Sequence, residues 1–165
     1  MLALRPSPLE ASGPGVPLAL ASAASNRGVD RCRAFAAAHS VLLLRVSLAL
    51  VYCGFGVLKL IPGASPAEHL AGETLGALSL GLLKPGLSLP LLGLFEVAIG
   101  LAVLFAPRSR WTVPLLLLHL AGTFTPLVLF PHETFSTFPF PTLVGQYILK
   151  NVVLAAAAIS ILPKP

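Results

Sequence analysis

Residues Leu87 to Ala106 read LSLPLLGLFEVAIGLAVLFA, a run of 20 residues whose one charged side chain is Glu96. A helix of about 20 residues rises about 30 Å, which is the thickness of the hydrocarbon core of a bilayer. Backbone polar groups cannot stay without hydrogen bonds in lipid, so the run is predicted to be a membrane-spanning helix. The fold class follows from this run and from others like it.

Three further apolar runs of similar length lie at residues 41–60, 111–130 and 142–162. The whole chain is 56% hydrophobic and 10% charged, whereas soluble domains carry roughly 25% charged residues. A core built from 165 residues cannot bury that much apolar surface, so the lipid bilayer must cover the rest. We predict an all-α fold: a membrane-embedded four-helix bundle in one domain, residues 36–165.

The segment between the first two runs predicts a short interfacial helix. Ser65-Pro66-Ala67-Glu68 is a capping-box pattern, with Ser65 as the N-cap, and Pro85-Gly86 ends the segment. Leucines recur between them at near-helical spacing, which favours a helix lying at the membrane surface or dipping into it.

Residues 1–35 are rich in Pro, Ala, Ser and Arg, and we predict a disordered cytoplasmic tail. Pro6, Pro8, Pro14 and Pro17 break up the apolar region that a signal peptide needs, which argues against one. An organellar transit peptide and a start codon assigned too early both stay open as origins of this composition.

The positive charges predict the orientation. They cluster in the tail and in the loop between the second and third spans, whereas the opposite side has only Lys84. We expect a multi-pass protein of the inner (plasma) membrane with cytoplasmic N- and C-termini. The net charge of +5 therefore indicates topology and not nucleic-acid binding. The positive residues on the cytoplasmic side are Arg5, Arg27, Arg31, Arg33, Arg108, Arg110 and Lys164.

Each span carries one polar or small-residue face at helical spacing, which predicts a polar bundle interior. A charge at bilayer depth costs roughly 2.5–3.5 kcal/mol, so such residues usually have a partner. Glu96 and Lys150 lie at similar depths, so a pair between them is geometrically permitted, whereas Lys59 lies near the outer end and is able to snorkel. Arg45 is predicted to be an interfacial anchor. The candidate polar pocket comprises Lys59, Glu96, His119, Gln146, Tyr147, Lys150 and Asn151.

A structural reading of the same residues stays open. Buried ion pairs also fix helix register without any chemistry. A single histidine such as His119 is often a hydrogen-bonded core residue. Cys32 and Cys53 form no CxxC, are too far apart for a disulfide, and no metal-ligand spacing is present, so no metal is predicted.

Four short motifs follow one another along the spans. They are Leu43-Leu44-Arg45 with Gly54-Phe55-Gly56-Val57-Leu58-Lys59-Leu60, Leu94-Phe95-Glu96-Val97-Ala98-Ile99-Gly100, Ala121-Gly122-Thr123-Phe124-Thr125-Pro126, and Gly145-Gln146-Tyr147-Ile148-Leu149-Lys150-Asn151. In this order they resemble the DoxX family of small bacterial membrane proteins. The resemblance covers roughly residues 40–162 and leaves out the tail.

The resemblance implies a four-helix membrane bundle, importance for Arg45, Lys59, Glu96 and Lys150, and a link to quinone-coupled redox chemistry. We therefore expect a membrane subunit of a quinone-linked oxidoreductase or redox-stress complex, with quinone as the possible cofactor. Its expected partners are the lipid bilayer and other membrane or redox-complex subunits. A non-catalytic assembly or scaffold protein is the alternative, and a small transporter is less favoured. Whether the chain is itself an enzyme stays open.

Overall fold

The computed structural model describes residues 16–162, with the side chains of residues 16–27 and 85 left aside. The structure is 76% helical. In chain order its elements are α1 (Val16–Leu60), α2 (Glu68–Leu78), α3 (Pro85–Phe105), α4 (Thr112–Phe124), α5 (Pro126–Leu129), α6 (Pro131–Thr134), β1 (Phe135–Thr137), β2 (Phe140–Pro141), α7 (Leu143–Leu149) and α8 (Asn151–Ser160).

Four stretches of helix are long and apolar enough to cross a membrane: Gly28–Leu60, Gly86–Phe105, Thr112–Leu129 and Leu143–Ser160. Each overlaps one of the four predicted runs, and the first begins at Gly28, where the sequence placed its start at Val41. The four helices confirm the all-α class and identify a multi-pass membrane protein. The third stretch comprises α4 and α5, and the fourth comprises α7 and α8. Between them β1 and β2 pair as a small antiparallel hairpin, where the sequence predicted an irregular loop.

Both of these later spans are interrupted. Pro126 has no N–H and cannot donate to the carbonyl of Gly122, so α4 ends at Phe124. That carbonyl instead accepts from the backbone N–H of Thr125 at 3.2 Å and from its hydroxyl at 2.7 Å. The fourth span changes from α7 to α8 at Lys150. The interruptions put polar groups at membrane depth.

The chain divides into two compact units, Met1–Ser40 and Val41–Pro165. Helix α1 begins at Val16, inside the segment for which the sequence predicted disorder, whereas residues 1–15 lie outside the described part. Alanines are frequent between residues 19 and 38, and their high helix propensity accounts for the difference. Within the first unit, the rings of Phe35 and His39 stack with centroids 4.4 Å apart.

In the second unit, the hydrophobic core fills one half of the bundle, which we call the packed half. Side chains from α1, α3, α4 and α8 meet there, and the last core residue follows α8. Leu116 and Val103 have no exposed surface. The buried members are Leu48, Tyr52, Ile99, Val103, Val113, Leu116, Leu120, Ala158 and Ile161.

Helices α1 and α3 cross at glycines. A Cβ atom built on Gly56 would lie 2.7 Å from the carbonyl oxygen of Gly93, and one built on Gly93 would lie 2.6 Å from that of Gly56. A third contact, nearly two turns further along α3, sets Gly100 against Cys53. Small residues of this kind let membrane helices approach closely, as the shared glycine face of the sequence predicted.

The short helix between the first two spans exists, but its capping box does not. Helix α2 begins at Glu68 with Ala67 as N-cap, and no side chain caps it. The Glu68 carboxylate instead accepts from the backbone N–H of Gly63 at 2.8 Å, which ties it to the preceding turn. Leu70 and the residues that follow it pack α2 against α3.

Candidate functional site

A chain of hydrogen bonds joins three spans at the Glu96 carboxylate. The Lys59 ammonium donates to Oε2 of Glu96 at 2.7 Å, and Nε2 of His119 lies 3.1 Å from Oε1. The other ring nitrogen of His119, Nδ1, lies 3.1 Å from the hydroxyl of Tyr52. The side chains of Lys59 and His119 are each 8% exposed, and that of Glu96 is 7% exposed. The polar network therefore lies inside the bundle.

The direction of the network follows from the donor and acceptor chemistry. An ionised carboxylate only accepts, so Nε2 of His119 carries a hydrogen. In the neutral ring Nδ1 then accepts, and the hydroxyl of Tyr52 donates to it. Lys59 balances the charge of Glu96. Every member of the network therefore has a hydrogen-bond partner, and the network needs no other charged residue.

The partner of Glu96 differs from the prediction. The sequence placed Lys150 opposite Glu96 and let Lys59 snorkel outward, but the ion pair is Lys59–Glu96. Side chains on a helix point back toward its N-terminus, which for Lys59 means away from the C-terminal end of α1 and toward Glu96. The Lys59 ammonium accordingly folds back to within 3.5 Å of the carbonyl oxygen of Phe55.

Lys150 lies instead between two aromatic rings. Its ammonium is 4.2 Å from the ring centroid of Tyr147 and 4.9 Å from that of Phe55. Within residues 16–162 no carboxylate lies at ion-pair distance from it. Contact with two ring faces offsets part of the cost of the unpaired charge.

Asn151, the neighbour of Lys150, ties the fourth span to the third. Its amide Nδ2 donates to the hydroxyl of Thr123 at 3.0 Å. That hydroxyl donates in turn to the carbonyl of Leu120 at 2.7 Å. Asn151 is therefore held in place, and one hydrogen of its amide is used by this bond.

These side chains surround a cavity of about 430 Å³, within the usual range of small-molecule sites. Six of the seven predicted pocket residues line it: Lys59, Glu96, His119, Tyr147, Lys150 and Asn151. The rest of the wall is mainly apolar and includes Phe55, Phe95 and Leu118. We call the half of the bundle that holds this cavity the cavity half.

The seventh predicted residue, Gln146, lies elsewhere. Its side chain is exposed and its Nε2 lies 3.4 Å from the carbonyl oxygen of Pro141. Gln146 lies on the same face of the helix as Tyr147 and Lys150. That face is wider than the part of it that borders the cavity, so Gln146 stays outside the lining.

Arg45, the predicted anchor, is far along α1 from the cavity. Its Nε donates to the carbonyl of Val103 at 3.0 Å and a terminal nitrogen donates to that of Leu104 at 2.5 Å. The last carbonyls of a helix lack intrahelical donors, so Arg45 caps the C-terminus of α3.

Sequence reasoning missed one wall of the cavity. Helix α2 contributes Leu70, Thr74 and Leu78 to the lining. The leucine spacing predicted helix α2 but did not indicate against which span this helix would pack. Tyr52 was also left out of the predicted pocket, although its helical phase with Lys59 was a usable signal.

A second polar cluster lies on the surface. His69 and Glu73 of α2 and Glu133 of α6 bring ligand atoms within 4.8 Å of one another, a grouping the sequence spacing did not predict. All three residues are exposed, and such groups often come together without an ion. No role is assigned to them.

No protein-family model, no curated protein and no solved structure matches this chain.

Proposed function

We propose that this chain is a DoxX-like integral membrane protein that acts as a quinone-binding subunit of a membrane oxidoreductase or redox-stress complex. It lies in the plasma membrane with both termini in the cytoplasm. One observation carries the proposal: an apolar cavity of about 430 Å³ gathers two lysines, a histidine, an asparagine and a carboxylate at membrane depth.

The lining suits the chemistry of a quinone. A quinone ring is flat and apolar, and its carbonyl oxygens accept hydrogen bonds. The aromatic side chains of Phe55, Phe95 and Tyr147 offer flat surfaces, and Lys150 offers donors that are engaged only with ring faces. Such a combination of apolar walls and few placed polar groups is typical of ligand sites.

The hydrogen-bonded network adjoins the same cavity. The carboxylate of Glu96, the ring of His119 and the hydroxyl of Tyr52 form a continuous path for a proton. Quinone reduction consumes protons as well as electrons, and a neighbouring proton path would serve it. The electrons would come from a partner subunit.

Photolabelling tests the proposal directly. The full chain in lipid nanodiscs is illuminated with an azidoquinone, and the modified peptides are identified by mass spectrometry. We expect labelling on the segments of Phe55 and Tyr147, competed by unlabelled quinone and weakened in Phe55→Ala. The matched control is Gln146→Ala, whose side chain lies outside the cavity and whose labelling should equal that of the wild type.

Labelling spread over lipid-facing residues and insensitive to competitor would contradict quinone binding. Copurification offers a second readout, because a cavity that holds a quinone should retain it through gentle extraction. Lipid extracts without ubiquinone or menaquinone, together with uncompeted labelling, would remove the proposal.

The predicted orientation has its own test. Cys32 is an exposed thiol near the N-terminal end of the Gly28–Leu60 stretch, whereas Cys53 lies 21 residues further along the same helix. A membrane-impermeant maleimide should label Cys32 only after the cells are opened. The matched control is Thr137→Cys in a Cys32→Ser background, at an exposed hairpin position that should be labelled in intact cells. The reverse pattern would overturn the topology.

A scaffold role is the second candidate, and the completeness of the network favours it. Within the described residues, no buried side-chain nitrogen or oxygen lacks a hydrogen-bond partner. The pair Lys59–Glu96 would then only fix α1 against α3. A charge swap (Lys59→Glu with Glu96→Lys) separates the two. Restored stability together with restored cellular function supports the scaffold, and restored stability without function supports the quinone site.

A further inference from the structure

The charges that line the cavity do not cancel. They comprise two lysines and one glutamate, which leaves a net charge of +1 with a neutral His119. Lys59 and Glu96 neutralise each other at 2.7 Å. The excess positive charge is therefore that of Lys150.

Among the described residues, no hydrogen-bond acceptor takes a hydrogen from the Lys150 ammonium, so its donors are available to a ligand. Both ring nitrogens of His119 and both oxygens of Glu96 are engaged within the network. The Lys150 ammonium contacts the rings of Phe55 and Tyr147, and ring faces accept no conventional hydrogen bond. An exposed lysine that lies in a membrane-spanning stretch, borders an apolar cavity and has no carboxylate partner among the described residues favours a ligand that brings a negative charge.

We infer that the cavity binds an acidic quinone as its anion, with the negative oxygen on the ammonium of Lys150. The inference rests on the proposed function and specifies its ligand: a hydroxyquinone that is ionised at neutral pH. Phe55 and Tyr147 hold the cation from two sides, and the quinone ring lies in the apolar space that these residues border. Lys150 is then the residue that selects the charge state of the ligand.

Two naphthoquinones of nearly equal size test the inference. In 2-hydroxy-3-methyl-1,4-naphthoquinone the hydroxyl is ionised at neutral pH, whereas 2,3-dimethyl-1,4-naphthoquinone has a methyl group at that position and stays neutral. Neither ring has an open position on its quinone carbons for addition of the exposed thiol of Cys32. Binding to the full chain is measured by equilibrium dialysis in nanodiscs of neutral phosphatidylcholine, with empty nanodiscs as the partition blank.

We expect the anion to bind about tenfold more tightly than the neutral compound, as is typical of a hydrogen bond to a charged group. In Lys150→Met the anion should lose about tenfold more affinity than the neutral compound, because only the anion loses a charge-assisted hydrogen bond, so this preference should disappear. The matched control is Lys84→Met, which removes an exposed lysine that does not line the cavity and should keep the preference. Lys150→Arg, which keeps the charge, should keep most of it, and it serves as the informative variant where Lys150→Met fails to fold.

The outcomes separate the two proposals. Equal affinities of the wild type for both compounds overturn the inference and leave quinone binding standing. A preference that survives in Lys150→Met overturns the role of Lys150. Binding of neither compound, with correctly folded protein, overturns the inference together with the proposed function.

Discussion

The two halves of the bundle solve the problem of holding membrane helices together in different ways. The packed half uses shape: Leu116 and Val103 are fully buried among side chains from four helices. The cavity half uses charge and hydrogen bonds: Lys59, Glu96 and His119 join three helices around open space. Lipid tails are as apolar as leucine, so packing and polar contacts are what remains to drive association.

The difference indicates where function lies. A half that needed only stability would be filled like the other one, because cavities cost packing energy. The packed half keeps the helices in register, and that register lets the cavity half keep an open volume and one unpaired cation. Four substitutions break or sharpen this comparison.

The largest effect is expected at Glu96. Glu96→Leu leaves the Lys59 ammonium buried without its partner and should lower the free energy of unfolding by about 3 kcal/mol. Steric trapping in bicelles measures this quantity. The double variant Lys59→Met with Glu96→Leu should recover most of the loss, because an apolar pair needs no desolvation.

Recovery by Lys150→Met in place of Lys59→Met would contradict the pairing. It would show that Lys150 is the true partner of Glu96, as the sequence suggested. The charge network would then have to be reassigned.

The next effect tests the packed half. Leu116→Ala removes a fully buried side chain and should cost about 2.5 kcal/mol through lost contacts and a new cavity. The matched control is Leu118→Ala on the same helix, 67% exposed and bordering the existing cavity, which should cost less than about 1 kcal/mol. Equal costs in the same unfolding measurement would mean that the two halves are packed alike.

The helix crossing that both halves share comes third. Gly56→Ala puts a methyl group against the backbone of Gly93 and Val97 and should cost about 2 kcal/mol as α1 and α3 are pushed apart. Gly54→Ala, two residues away with nothing within 4 Å, should gain up to about 1 kcal/mol from helix propensity. A neutral Gly56→Ala would show that the helices do not touch there.

The smallest effect is expected at the far end of the packed half. Arg45→Met frees the carbonyls of Val103 and Leu104 and should cost about 1 kcal/mol, which a thermal unfolding midpoint resolves. Arg110→Met removes only an exposed guanidinium 5.3 Å from the ring of Trp111 and should cost less. A cost at Arg110 above that at Arg45 would argue that α3 needs no cap.

Much of the fold was open to prediction from the sequence because lipid imposes a simple rule on length and polarity. Runs of about 20 apolar residues had to be helices, and one polar face per helix had to turn inward. These two arguments located the spans and predicted that Glu96, His119 and Lys150 line the same pocket inside the bundle. They use only the chain itself and the properties of the bilayer.

The partner of each charge was not open to the same arguments. Depth along the spans favoured Lys150 over Lys59 as the partner of Glu96. The choice depended on the direction of the Lys59 stem and on the close crossing at Gly56 and Gly93, which are properties of two helices together. The alanine-rich start of α1 was missed for a simpler reason, because charge and proline content outweighed helix propensity in the prediction.

The hydrogen bonds of the Glu96 carboxylate have one further consequence. Each of its oxygens accepts from one donor, Oε2 from Lys59 and Oε1 from His119. In a Glu96→Gln variant the amide NH₂ would replace one of these oxygens and would face a group that also donates. If the amide faced His119, the imidazole would have to move its hydrogen to Nδ1, and the hydroxyl of Tyr52 would turn from giving a hydrogen to receiving one. Replacing one oxygen by nitrogen, with no change of shape, would then reverse the donor-to-acceptor direction of the hydrogen-bond chain that joins α1, α4 and α3.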